Sequence, residues 1–296
     1  MLNSMSSIEE LRNLDLRSSN PDIVRRILTE FAILCVPFYI KKGVYILRAR
    51  KGRGFIKRSE MTYCPVNKCT TLQRATLAGQ TMFYGVISDD QSHQDHARCV
   101  AASECSKLCR DGISSIGRET FTVAHWEITK PLHVVSFITD NTFPDVHDNT
   151  LLNQLREAHV LFHGNNNSTL EEKEISQFIS DEFSKVVKNG EDYKYLISAT
   201  LATDIINNMG VDGIVFPSVQ LGGQGGLNIA IKPQVVNNKL KFVRTLEQSL
   251  YKRKDKSVLR IEKATEKGIS RQINQIPDFY IIKELGITDL NKLPEC

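Results

Sequence analysis

The segment ARCVAASECSKLC (97–109) places a carboxylate inside an apolar stripe. Read as a helix advancing about 100° per residue, it gathers Ala97, Val100, Ala101, Cys105 and Leu108 on one face, with Glu104 among them. Arg98, Ser103, Ser106, Lys107 and Arg110 fall at or beyond the edges of that stripe. A carboxylate aimed at a core is costly unless it is paired or lines a cavity. Glu104 therefore reads either as half of a buried ion pair or as the floor of a pocket. Arg48 raises the same question. In the strand-like VYILRAR (44–50), alternation puts Val44, Ile46 and Arg48 on one face, opposite Tyr45 and Leu47. Arg74 opens RATLAGQTMFYGVIS (74–88), ahead of a glycine turn and an aromatic pair. Taken singly, each arginine reads as a surface residue. Two arginines with an inward glutamate suit a phosphate-bearing substrate, because the guanidinium fork matches phosphate oxygens.

FPSVQLGGQGGLNIAIKP (216–233) is the other informative stretch. Its glycines are not a Walker loop, since no Gly-Lys-Ser/Thr follows, and not a dinucleotide fingerprint, since a strand and not a helix follows them. Ser218 comes just after Pro217 at a strand end, but no G-x-S-x-G elbow surrounds it, so it is a poor acyl nucleophile. The cysteines of CPVNKC (64–69) and CSKLC (105–109) lack the two-residue spacing of common zinc knuckles, and no metal is expected.

The elements that must position these residues read as α+β. A helix is predicted over 20–35, started by Asn20 as cap and Pro21 in the first turn. Strands are predicted at 44–50, 81–88, 121–128 and 132–138, then helices at 150–162, 170–188 and 194–208. Strands at 212–219, 227–233 and 240–246 follow, and the charged tail after 247 is expected to be helical. Strands and helices do not alternate regularly, which argues against a doubly wound sheet. The expected organisation is an N-terminal helical extension (1–43), a catalytic domain (44–246) and a helical C-terminal appendage (247–296).

Composition excludes some functions. The 296 residues carry a net charge of +4, with 41% apolar and 24% charged residues. That balance gives no strong nucleic-acid signal, and the basic run YKRKDK (251–256) reads as a solvated face. The longest apolar stretch, FAILCVPFYI (31–40), is about half the length needed to cross a bilayer. The polar N-terminus and the seven cysteines lead to the expectation of a cytoplasmic protein with reduced thiols and no membrane partner.

Five segments, in order, resemble the RES domain: YILRAR, RATLAGQTMFYGVIS, ARCVAASE, DGIVFPSV and GGLNIAIKP. EMTYCP (60–65) is similar to the family's segment before its second arginine. The resemblance spans about 44 to 246, and the DDQSHQDHARCV insert is longer than in compact members. It maps Arg48 and Arg74 onto the family's arginines, Tyr84 onto its tyrosine, Glu104 onto its glutamate, Ser218 onto its serine and Asn228 onto the asparagine of the last strand.

What the resemblance implies is an ADP-ribosyltransferase-like core of mixed β-sheets with surrounding helices and an activity that degrades NAD⁺. Glu104, Arg74 and Tyr84 would be catalytic, and Arg48, Arg74, Tyr84, Ser218 and Asn228 would bind substrate. NAD⁺ is then a substrate rather than a cofactor, with water or inorganic phosphate receiving the sugar. Many such proteins are toxins silenced by a cognate antitoxin protein. The alternatives are an ADP-ribosyltransferase that modifies a protein or nucleic acid, and a non-catalytic interaction module.

Overall fold

The computed structural model describes residues 4–30, 33–55, 57–89, 94–106, 108, 117–188, 190–220, 225–252, 258–264 and 280–281. Its strands are β1 (Val36–Ile40), β2 (Tyr45–Lys51), β3 (Phe83–Ser88), β4 (Gly117–Ile128), β5 (Leu132–Ser136), β6 (Gly213–Pro217), β7 (Leu227–Ile231), β8 (Leu240–Lys252), β9 (Val258–Ala264) and β10 (Tyr280–Ile281). They form one sheet in the order β1-β5-β6-β7-β3-β2-β4-β8-β9-β10. Every pairing is antiparallel except β5 with β6. With its helices, this is the mixed α+β architecture expected from the sequence.

The helices are α1 (Ser4–Asn13), α2 (Pro21–Leu28), α3 (Gln94–Cys105), α4 (Thr150–Asn165), α5 (Leu170–Ser184), α6 (Leu196–Met209) and α7 (Pro233–Lys239). Their starts follow from the residues. Asn20 accepts from the backbone N–H groups of Asp22 and Ile23 ahead of Pro21, and Thr169 with Glu172 closes a capping box on α5. Gly210, at φ 65°, takes the left-handed conformation that ends α6.

One apolar layer packs α1, α2, α5 and α6 against Val135, Ile214, Phe216 and Ala230 of the sheet. A second, around Trp126, Phe83 and Ile229, is closed by α4 and α7. A smaller cluster seats Ala97, Val100 and Ala101 of α3 on Leu47, Ala49, Val86 and Val123. Close approach within the sheet depends on glycine. A Cβ on Gly213 would lie 2.2 Å from the Ala230 carbonyl oxygen, and one on Gly85 would lie 2.4 Å from the Ile46 side chain.

Two boundary expectations are corrected. The described part of 1–43 is not a separate extension. Its helices share a core layer with α5 and α6, and β1 pairs with β5 in the sheet. The described part of 247–296 is strand rather than helix. β8 runs to Lys252 on a ladder with β4, and β9 pairs with β8. Ladder pairing there overrides the helix-like charge pattern.

His125 lies in β4 between β2 and β8, 1% exposed, with no hydrogen-bond partner for its buried Nε2. Burial first, then the charges of Arg244 and Arg98, pull its imidazole from 6.5 down to about 3. The native ring stays neutral while the unfolded ring takes up a proton as pH drops below about 6.5. The associated stability is complete above that value and is lost as pH falls towards about 3. Burial depresses His159 and His163 in the same sense. We expect the urea midpoint to fall between about pH 6 and pH 4 and His125→Phe to flatten that fall. Equal slopes in the two proteins would contradict this account of His125.

Candidate active site

Four neighbouring strands, β6-β7-β3-β2, bring the separated motifs side by side. Asn228 of β7 pairs with Phe216 of β6 on one side and with Val86 of β3 on the other. Glu104 ends up over this region, in the last turn of α3, because the apolar face of that helix seats on β2 and β3. A carboxylate at the C-terminal end sits against the negative pole of its own helix, so local helix electrostatics do not favour it there. Side-chain donors fix it instead. Ser218 Oγ donates to Glu104 Oε1 at 2.6 Å, and Asn228 Nδ2 donates to the same oxygen at 2.8 Å. Ser218 is set in turn by its own N–H, which donates to the Gly226 carbonyl at 2.8 Å. Gly226 has to be glycine, since a Cβ would come within 2.8 Å of Val100 and 3.1 Å of the Ser218 Cβ.

Arg48 lies on β2, with β3 between it and the strand of Asn228. Its Nη1 donates to the Tyr84 carbonyl at 2.8 Å, and its guanidinium lies 5.4 Å from the centre of the Phe83 ring. Its Nε is sealed from solvent without a hydrogen-bond partner, and among the described residues no carboxylate forms an ion pair with it. Burial holds the guanidinium below its ordinary pKa. A partly buried cation without a counter-ion is the arrangement an anionic ligand would compensate.

Arg74 is placed differently from the sequence expectation of a simple anion clamp. It is 8% exposed, and it donates from Nη1 to the Phe183 carbonyl at 2.6 Å and from Nη2 to the Lys185 carbonyl at 2.8 Å. The rings of Tyr195 and Phe216 flank it, with centroids 5.1 and 5.9 Å away. Arg74 thus takes over the last carbonyls of α5 and fixes the path of the chain after that helix. Tyr84 turns its hydroxyl away to Thr76 Oγ1 and the Ala75 N–H, and burial raises its pKa well above the usual phenol value.

These residues line a cavity of about 620 Å³ that holds Arg48, Arg74, the Tyr84 ring, Glu104 and Asn228. Ser218 stands behind Glu104 as its hydrogen-bond donor. So the structure brings together all six residues singled out in the sequence. The volume is in the range of small-molecule sites. The chain matches no protein-family model and no curated protein.

Sequence reasoning missed several walls of the cavity. Arg50 and Lys51 extend the basic edge beyond Arg48, while Lys188, Asp192 and Tyr195 come from the segment after α5. Lys51 is held by an ion pair to the buried Glu119, which also accepts from Ser106 Oγ at 2.6 Å. The alternation of Arg48 and Arg50 was a visible signal for a basic strand end. The segment 185–195 offered none. In all, five basic residues (Arg48, Arg50, Lys51, Arg74, Lys188) and two acidic ones (Glu104, Asp192) line the cavity, with Lys51 paired to Glu119. That balance suits a ligand with several negative charges and one region of positive charge. Among the described residues no group of three or more His, Cys, Asp and Glu side chains is arranged to hold a metal ion, and no helix is long and apolar enough to cross a membrane.

Proposed function

We propose that this chain degrades NAD⁺ by cleaving the bond between nicotinamide and ribose, on a core related to the RES and ADP-ribosyltransferase folds. The observation that carries the reading is the pairing, within one cavity, of a carboxylate held by two neutral donors with a basic edge whose Arg48 has no counter-ion among the described residues. NAD⁺ needs both ends of that arrangement. Its pyrophosphate is anionic, and charge develops on its ribose when the glycosidic bond breaks.

The chemistry asks little of a general acid. Nicotinamide leaves neutral, taking the bonding electron pair to its ring nitrogen, and the sugar becomes oxocarbenium-like. What the site supplies is positioning and charge stabilisation. In this reading Glu104 stabilises the developing positive charge or accepts a ribose hydroxyl. Ser218 and Asn228 hold that carboxylate at one angle. Arg48, with Arg50 and Lys51 behind it, receives the pyrophosphate. The Tyr84 ring forms an aromatic wall for the nicotinamide. Arg74 keeps the opposite wall in place. Water or inorganic phosphate then adds to the sugar carbon. A toxin role, with a cognate antitoxin closing the site, belongs to the same reading.

The experiment incubates purified protein with NAD⁺ labelled in its adenine, with and without inorganic phosphate, and separates the products. ADP-ribose in both buffers identifies hydrolysis, and a phosphorylated ADP-ribose formed only with phosphate identifies phosphorolysis. Label retained on protein or nucleic acid would replace this reading with macromolecular ADP-ribosylation. Intact NAD⁺ would overturn it.

A further inference from the structure

CPVNKC contains two cysteines that the proposed reaction does not use. Cys64 and Cys69 bracket the short 3₁₀ turn Val66–Lys68 and are both free thiols. The Cys69 thiol is turned back over that turn towards Cys64. The Cys69 Sγ also lies 3.4 Å from the Pro65 carbonyl oxygen and 3.9 Å from that of Cys64. Cys69 is buried at 7% exposure, whereas Cys64 is partly exposed. Burial, the largest effect, raises the Cys64 thiol pKa, with the charges of Arg48 and Lys68 acting against it, and Arg48 belongs to the cavity.

The pair also anchors a loop. The Cys64 carbonyl accepts from Thr81 Oγ1 at 2.6 Å, and the Cys69 carbonyl accepts from the Gly79 N–H at 2.7 Å. The two cysteines therefore hold the base of the segment that carries Thr71, Leu72, Gln73 and Arg74 into the cavity wall. A change in the distance between their sulfurs acts directly on that base.

We infer that Cys64 and Cys69 form an oxidisable dithiol, a modification site for two-electron oxidants of the peroxide class that closes to a disulfide and resets the cavity wall. Cys64, the more accessible thiol, attacks the peroxide. The O–O bond breaks, water leaves and Cys64 becomes a sulfenic acid. Cys69 then attacks that sulfur, the S–O bond breaks and a second water leaves. The two thiols lose two hydrogens and two electrons in all, and the peroxide takes them up. Closure brings the sulfurs to about 2.05 Å. A reductant thiol reverses the step. The effect on turnover rests on the proposed NAD⁺ reaction, while formation of the disulfide does not.

The test treats the reduced full-length protein with hydrogen peroxide, blocks remaining thiols with N-ethylmaleimide and maps tryptic peptides by mass. Trypsin cuts between Lys68 and Cys69, so the expected product is SEMTYCPVNK joined to CTTLQR, lighter by two hydrogens and separated again by dithiothreitol. Cys69→Ser abolishes the joined species. Recovery of both peptides singly alkylated, or either one joined to a different cysteine, overturns the dithiol. The second readout is NAD⁺ turnover. We expect about a fivefold or larger difference in kcat/KM between oxidised and reduced wild type, absent in Cys69→Ser. Joined peptides with equal turnover overturn the coupling to the cavity. If no form consumes NAD⁺, the functional reading fails, and the peptide map still decides the dithiol.

Discussion

We expect Glu104→Gln to lower kcat/KM for the proposed NAD⁺ reaction by about 10²–10³-fold and to leave the fold intact. The amide matches the carboxylate in size, so the packing of α3 on β2 and β3 is kept. It keeps one acceptor oxygen for the Ser218 hydroxyl or the Asn228 amide, both of which reach Oε1 in the native protein. What it loses is the negative charge that the proposed reaction sets against positive charge developing on the sugar. Ser218→Ala and Asn228→Ala each remove one of the two positioning bonds, and each is expected to cost about tenfold. Steady-state turnover with circular dichroism and thermal unfolding on the same samples checks this. If Glu104 were only a structural anchor, unfolding would shift and turnover would stay.

Arg74→Ala has the largest expected effect on stability. The substitution leaves the Phe183 and Lys185 carbonyls without their donor and removes a cation from between two aromatic rings. Unpaired buried carbonyls cost about 1–3 kcal/mol each, and each aromatic contact adds about 0.5–1 kcal/mol. Together they destabilise by about 3–8 kcal/mol. Turnover falls as well, because Lys188, Asp192 and Tyr195 lie on the chain segment that Arg74 holds. Arg74→Lys keeps the charge but not the two-pronged geometry, so it recovers only part of the stability. Calorimetry of the three proteins gives the ranking. An Arg74→Ala protein as stable as wild type would contradict the keystone role, and one with full NAD⁺ turnover would remove Arg74 from the site.

The legible and illegible parts of the site divide along physical lines. Glu104 was readable because helical periodicity is local, and a charge inside an apolar stripe stands out within a dozen residues. Its partners were not readable by periodicity, because Ser218 and Asn228 are 114 and 124 positions away and meet it only through strand order. Ser218 stands out only by its place after Pro217 at a strand end, and Asn228 only through the resemblance. The helix expected over 170–188 ends at Ser184, with Lys185 in extended backbone. The reason is the distant Arg74, whose guanidinium takes the terminal carbonyls in place of helical N–H groups. That long-range bond also sets the path to the wall residues Lys188, Asp192 and Tyr195, which explains why neither they nor the role of Arg74 could be seen locally. The tail after 247 was misread because charge along β8 suggested a helix, whereas pairing with β4 decides its structure.

The most direct measurement of the central claim is the release of free nicotinamide from NAD⁺ by the purified full-length protein, followed over time beside Glu104→Gln. The account predicts steady release by the native protein and a loss of about 10²-fold or more in the variant. No release from NAD⁺, or equal release by both proteins, would contradict it.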